Sequence, residues 1–275
     1  ALVVNDVIRS GARPLAIVDN IHAQVSDPQL VDEWMKGIVK SATEAECVVP
    51  GGEIGDVAEI VKGVADGRSF DMVIACIGEL SKEEIVFGNN IKAGDFVIGL
   101  RSSGIHSNGI SLARKVLFKR WGGKYEPYDI PEGLDREVVY EVLEPMRIYV
   151  KSVLKAAEAH EIKGLVHITG DAYLKFDRLM KFSKGIGFEF DNFKPQPIFE
   201  LIQETASEVR AAISDEEMLK TFNMGWGFAV VTDKNNADSV TDSFEKSEVR
   251  AERIGKVTSS GKIVALYKGK KLRLR

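Results

Sequence analysis

The sequence predicts an α/β fold in two domains, and three observations predict it. At 275 residues the chain is long enough for a sizeable core and for more than one domain. Strand-like runs alternate with amphipathic helical runs as far as the C-terminus. A turn at residues 92–95 (KAGD) separates a first group of these elements from a second, so the domains are placed at residues 1–95 and 96–275.

Composition narrows the class. The chain is 44% hydrophobic and 28% charged, with a formal net charge of −4, which argues against disorder and against a nucleic-acid footprint and favours a small-molecule partner. No apolar run is long enough to span a bilayer, and the opening ALVVNDVIRS lacks the basic start and cleavage site of a signal peptide. A cytoplasmic location is expected, with no membrane partner. Cys47 and Cys76 have no metal-ligand spacing and are read as buried thiols. The basic tail, residues 268–275, reads as a solvated face or as protection of an edge strand.

The elements follow in order. Residues 1–10 carry apolar positions at 2, 3, 4, 7 and 8 and then meet Gly11, the pattern of a helix end. No capping residue precedes that run, so earlier residues are expected upstream of Ala1. Asn5 and Asp6 interrupt its apolar face; local pattern favours a solvated helix face over a metal or hydrogen-bonding role. A strand over 14–21 leads to Asp27-Pro28, an N-cap followed by proline at the first helical position, and Val31, Trp34, Met35, Ile38, Val39 and Ala42 give the helix one apolar face.

Residues 47–50 form a short strand running into Gly51-Gly52-Glu53, where paired glycines permit close backbone approach and Glu53 offers a carboxylate. Strands follow over 70–78 and 95–100. After a turn-rich section over 122–133, Pro145 starts a helix, and residues 165–169 (LVHIT) form a strand in which His167 reads as a core histidine. Further helices are expected over 199–209, from a capping box at Ser214 to Glu217, and over 235–245; strands are expected in TFNMGWGFAVVT (221–232), 253–257 and 262–267.

The stretch RSSGIHSNG (101–109) lies between the 95–100 strand and an amphipathic helix over 110–120. A small-residue loop entering a helix leaves the first helical N–H groups available to an anion, with the helix dipole aligned to favour it. Ser102, Ser103, Ser107 and Asn108 add short hydrogen-bonding groups, Gly104 and Gly109 permit close approach, and His106 adds a titratable ring. A tight turn with no ligand is the competing reading.

Six stretches, taken together, resemble one family: VNDVIRSGARPL (4–15), PGGE (50–53), GDFVIGLRSSGIHSNGISLARKVL (94–117), PMRIYVKSVL (145–154), KGLVHITG (163–170) and TFNMGWG (221–227). In this order they resemble the aminoimidazole ribonucleotide (AIR) synthetases, the phosphoribosylformylglycinamidine cyclo-ligases of purine biosynthesis. The resemblance implies a two-domain AIR synthetase-like fold, with mixed sheets and helices packed on them, and a homodimer formed through the first domain. It implies an ATP-dependent ligase that uses Mg²⁺ to close formylglycinamidine ribonucleotide into an imidazole through a phosphorylated amide oxygen.

Carried over position by position, Asp6 with Asn5 is similar to the family's Mg-ATP contact. Gly51, Gly52 and Glu53 are similar to a phosphate or metal loop, so Asp6 and Glu53 become the metal ligands. Ser102, Ser103, Gly104, Ser107, Asn108 and Gly170 are similar to substrate contacts, and His106 and Asp6 to catalytic residues.

Three departures stand beside the matches. The family's glycine-rich nucleotide segment is expected upstream of Ala1. A glycine run after Thr169 becomes Gly170-Asp171-Ala172, and Ile54 stands where threonine is common. They motivate two further readings: the same fold acting on another substrate, such as a thiamine-phosphate kinase or a selenophosphate- or hydrogenase-maturation type, and a nucleotide-binding homologue without catalysis.

Overall fold

A computed structural model describes residues 1–275 and divides the chain into two units, residues 1–85 with 148–154 and residues 86–147 with 155–275. In the first, helix α1 (Leu2–Val7) continues as a 3-10 turn over Ile8–Ser10 and ends at Gly11, whose φ of 91° suits glycine. Strand β1 (Arg13–Ala23) leads to α2 (Pro28–Glu44). There the Asp27 carboxylate accepts the amide N–H groups of Gln29 at 2.8 Å and Leu30 at 3.3 Å, as the Asp-Pro signal predicts.

Strands β2 (Val48–Asp56) and β3 (Phe70–Glu79) complete a mixed sheet of order β2-β1-β3, parallel between β1 and β2 and antiparallel between β1 and β3. β2 runs six residues past the expected stop at Pro50. Continuous pairing with β1, from Val18 with Gly51 to Ala23 with Asp56, outweighs the weak strand preference of its glycines.

Pairing also sorts the side chains of this sheet. Ile17, Asp19 and Ile21 share one face with Cys76, Ile74 and Met72, whereas Ala16, Val18 and Asn20 share the other with Ile77, Ala75 and Val73. The first face carries the buried Ile17 and Ile21; the second leaves Val18, Val73 and Ile77 exposed. Cys47 is a buried thiol as expected, and Cys76 is only partly covered.

In the second unit, β4 (Phe96–Arg101) leads through the 101–109 loop to α3 (Ile110–Leu117), followed by α4 (Val138–Val142) and α5 (Val150–Ala159), whose first residues belong to the other unit. Next come β5 (Gly164–His167), a 3-10 segment over Ala172–Phe176, α6 (Asp177–Phe182), β6 (Gly187–Phe190), α7 (Pro197–Glu208) and α8 (Asp215–Thr221). β7 (Trp226–Thr232), α9 (Ala237–Glu245), β8 (Ala251–Thr258), β9 (Ile263–Tyr267) and β10 (Lys270–Arg273) end the chain. The seven-stranded sheet has the order β10-β9-β6-β8-β4-β7-β5, with β6 parallel to β9 and every other pair antiparallel. Its core is aromatic: Tyr173, Phe176, Phe188, Phe190, Phe222 and Trp226 are fully buried.

Two expectations change here. The helix expected from Pro145 begins at Val150, because the Asn5 side chain captures the Tyr149 amide N–H at 2.9 Å and fixes the chain ahead of the first turn. Asn5 is therefore fully buried and hydrogen-bonded, and is not on a solvated helix face. The basic tail is an edge strand, with Lys268 and Lys270 paired to Asp215 at 3.5 and 3.3 Å.

Candidate functional site

β4 delivers the 101–109 loop to the start of α3. Gly109 stands there at φ 75° and caps the helix without a side-chain hydrogen bond, so the first helical N–H groups stay available. A Cβ on Gly109 would run into the Phe222 ring, which makes glycine obligatory for packing as well as for backbone shape.

Asn223 ties the loop down. Its Nδ2 donates to the carbonyls of Gly104 at 2.8 Å and Ile105 at 3.1 Å; its Oδ1 accepts from the Ser102 hydroxyl and the Gly225 N–H, both at 2.9 Å. Gln196 Nε2 donates to the Ser102 carbonyl at 2.6 Å, and the Tyr173 hydroxyl donates to the Asn223 carbonyl at 2.9 Å. Asn223, Gln196 and Tyr173 received no role from the sequence, although a polar Asn223 within an apolar run was the available signal.

The expected loop residues thus separate by what they touch. Ser102 is buried and engaged with Asn223 and Gln196, and Gly104 is held through its carbonyl. Ser103 donates its hydroxyl to the Pro145 carbonyl at 2.6 Å and its N–H to His106 Nε2 at 3.1 Å. Ser107 is exposed and Asn108 half-buried, and with the α3 N–H groups they form the part of the loop that faces outward. Gly170 lies beside Asn108, its absent Cβ position 3.3 Å from Asn108 Oδ1.

His106 is buried, and burial first, then the nearby His167 and Arg147, lowers its pKa to about 3. Its ring is neutral at physiological pH and Nε2 accepts the Ser103 amide N–H, an arrangement that positions the loop. The sign follows from linkage. The unfolded imidazole takes up a proton near its usual 6.5, and the folded ring refuses it until about pH 3, so stability is lost as pH falls between those values. Urea denaturation from pH 7 to pH 4 is expected to show this loss and a shallower one in His106→Asn, which tolerates the φ of 62°. Parallel profiles for the two proteins would refute it.

Four of the eight non-glycine residues at positive φ lie on this loop or on the loops tied to it. His106 (φ 62°), Asp171 (φ 65°), Ala172 (φ 40°) and Met224 (φ 48°) all occupy left-handed conformations that disfavour side chains. They sit on three loops joined through Asn223, Tyr173 and the Asn108–Gly170 approach. Strain of this kind concentrates at sites of function.

The residues expected at a nucleotide lie in the first unit. Asp6 is half-buried on α1, which packs on β3 and β1. Gly51 and Glu53 are exposed on β2, with Glu53 on the outer sheet face beside Asn20. Asp19, which the sequence reading passed over, occupies the inner face at 8% exposure, and its carboxylate fills the space a Gly52 side chain would need. No three His, Cys, Asp or Glu side chains converge on a point that would hold a metal. This donor set does not form a dedicated cage; it suits a Mg²⁺ brought in on phosphates, which takes one or two carboxylates and keeps its waters.

Family models for AIR synthase related proteins match residues 1–80 (N-terminal domain) and 92–268 (C-terminal domain). The chain belongs to the AIR synthase related family. Within that family it is similar to the phosphoribosylformylglycinamidine cyclo-ligase of Methanopyrus kandleri, with 38% identity over 266 residues that cover 96% of this chain and 72% of that protein. Its similarity to the same-named protein of Methanocaldococcus jannaschii is 38% over 284 residues, 98% of this chain and 76% of that one. Among solved structures, E. coli HypE, a hydrogenase maturation protein, superposes with a TM-score of 0.68 at 18% identity, covering 99% of this chain and 76% of that one. Thiamine monophosphate kinase from Aquifex aeolicus does so at 0.63 and 18%, covering 98% and 78%. At these identities the two structures establish the AIR synthase-like fold alone.

Proposed function

We propose that the protein is a phosphoribosylformylglycinamidine cyclo-ligase, which uses ATP to close formylglycinamidine ribonucleotide into aminoimidazole ribonucleotide. The observation that carries this reading is the Asn223-held 101–109 loop ahead of α3, in a chain 38% identical to proteins of that name. In the reaction the substrate amide oxygen takes the γ-phosphoryl group of ATP. An amidine nitrogen then attacks the activated carbon, and inorganic phosphate leaves with that oxygen.

Each group of residues has a part in this. The α3 N–H groups, Ser107 and Asn108 bind a phosphate or a developing oxyanion, with Ser103 at the loop's edge and Gly170 leaving room beside Asn108. Ser102, Gly104 and His106 hold the loop's shape, His106 as a neutral imidazole whose Nε2 accepts the Ser103 N–H. Asn5 fixes α1, while Asp6 and Glu53 are the carboxylates that would hold the Mg²⁺ of Mg-ATP; when bound, that ion would screen the phosphate charge. Gly51 and Gly52 keep β2 free of side chains beside Glu53. The test is a panel of substrates assayed for ADP release with Mg-ATP: release with formylglycinamidine ribonucleotide supports the reading, and release only with thiamine monophosphate or another panel member refutes it.

We also propose a cytoplasmic homodimer. No helix is long and apolar enough to cross a membrane. The outer face of the β2-β1-β3 sheet exposes Val18, Val48, Val73 and Ile77, a contiguous apolar surface suited to a second copy. Analytical ultracentrifugation is expected to give twice the chain mass, and the Val73→Lys/Ile77→Lys double variant the mass of a monomer. A monomeric wild type would refute the dimer.

A further inference from the structure

The 101–109 loop rests on the stretch that ends α4 and follows it. The Ser103 hydroxyl donates to the Pro145 carbonyl at 2.6 Å. A Cβ on Gly104 would lie 3.6 Å from Glu144 Cβ and 3.8 Å from the Glu141 carbonyl oxygen, ordinary contact distances. Glu141, Glu144 and Pro145 therefore form the floor under Ser103 and Gly104. That floor has little regular structure of its own. α4 has five residues, too few for a helix to hold itself. Residues 144–149 are neither helix nor strand, and the Glu144 N–H reaches the Glu141 carbonyl only at 3.5 Å.

Arg136 supplies the tie. Its Nε donates to Glu141 Oε1 at 2.5 Å and its Nη2 to Glu144 Oε2 at 2.7 Å. The guanidinium donors are fixed in one plane, so bonding both carboxylates sets their separation and with it the turn between them. The pairing has an electrostatic side as well. Glu141 and Glu144 bring two negative charges against a loop built to receive an anion, and Arg136 offsets one of them.

Resting on the proposed cyclo-ligase reading, we propose that Arg136 is a positioning residue for the reaction. It clamps Glu141 and Glu144 so that the 101–109 loop keeps the shape and charge in which it receives the substrate's anionic group. Arg136 acts through the loop and not by contact with the substrate.

The test compares wild type, Arg136→Met and Arg136→Lys in steady-state kinetics with formylglycinamidine ribonucleotide at saturating Mg-ATP, and in ¹H–¹⁵N spectra of labelled protein. Arg136→Met is expected to raise KM for that substrate about fivefold, the scale of a partly exposed charge pair, with KM for ATP unchanged. Arg136→Lys is expected to recover only part of the rise, because an ammonium group is a point charge that does not present two donors in a fixed plane. The Ser103 and Gly104 amide signals are expected to shift in Arg136→Met while those of α9 stay in place. Unchanged loop signals overturn the clamp, as does a fall in Tm with the substrate KM at its wild-type value or a rise confined to the KM for ATP; all three leave the cyclo-ligase reading intact. Full recovery by Arg136→Lys overturns the clamp too, since charge alone would then suffice. A wild type that turns over no formylglycinamidine ribonucleotide overturns the cyclo-ligase reading and the role of Arg136 with it.

Discussion

Asn223→Ala is expected to lower kcat/KM at least about a hundredfold and Tm by roughly 6–12 °C. The substitution deprives the Gly104 and Ile105 carbonyls, the Ser102 hydroxyl and the Gly225 N–H of the one side chain that serves all four. A buried polar group left without its partner costs about 1–3 kcal/mol. Four such groups, partly relieved by relaxation and water, sum to about 3 kcal/mol, and in a chain of this size each kcal/mol moves Tm by roughly 2–4 °C. The kinetic loss follows from displacement of the loop, since a shift of about 1 Å in a binding loop costs on the order of a hundredfold. Asn223→Asp separates the two halves of the amide, for it keeps an acceptor toward Ser102 and Gly225 but has no donor for the two carbonyls. Full activity in Asn223→Ala would show that the loop holds its shape without the network.

Lys163→Met is expected to be the most destabilising change far from the loop. Lys163 Nζ lies 2.8 Å from Asp95 Oδ1, and the two side chains are 6% and 1% exposed. Asp233 adds a second carboxylate at 3.6 Å. Removing the lysine leaves the Asp95 charge buried and unpaired, at a cost of about 3–5 kcal/mol, which urea denaturation measures. Asp95 also accepts the Lys92 N–H at 2.9 Å, an acceptor that asparagine keeps. The Lys163→Met/Asp95→Asn double variant is therefore expected to recover most of the loss. A double variant no more stable than Lys163→Met would place the cost in packing and not in charge.

Local chemistry made much of the fold legible. Asp27-Pro28 marked α2, the Ser214 hydroxyl accepts the Glu217 N–H at 3.1 Å as a capping signal predicts, and the β-forming run after Gly225 is β7. What stayed hidden depends on distant partners. β2 extends past Pro50 because β1 lies beside it, α5 starts late because Asn5 reaches Tyr149, and α4, α6 and β6 are short elements stabilised by packing.

The candidate site divides in the same way. The RSSGIHSNG stretch was visible as a strand-to-helix loop able to receive an anion, and Gly109 takes the left-handed capping position that such an entry needs. Its internal economy was not visible, because Asn223 is more than a hundred residues away in sequence and the titratable ring of His106 turns inward to accept an N–H. Nor does spacing show that Asp19 and Glu53 occupy opposite faces of one sheet, which the register of β1 with β2 decides.

The central claim is that this chain transfers a phosphoryl group to the substrate's amide oxygen and then expels that oxygen as phosphate. Formylglycinamidine ribonucleotide labelled with ¹⁸O at that amide, turned over with unlabelled Mg-ATP, tests it most directly. The account predicts one ¹⁸O in each inorganic phosphate released, with aminoimidazole ribonucleotide and ADP formed in equal amounts. Product formed with the label in water, or ADP released without ring closure, would contradict it.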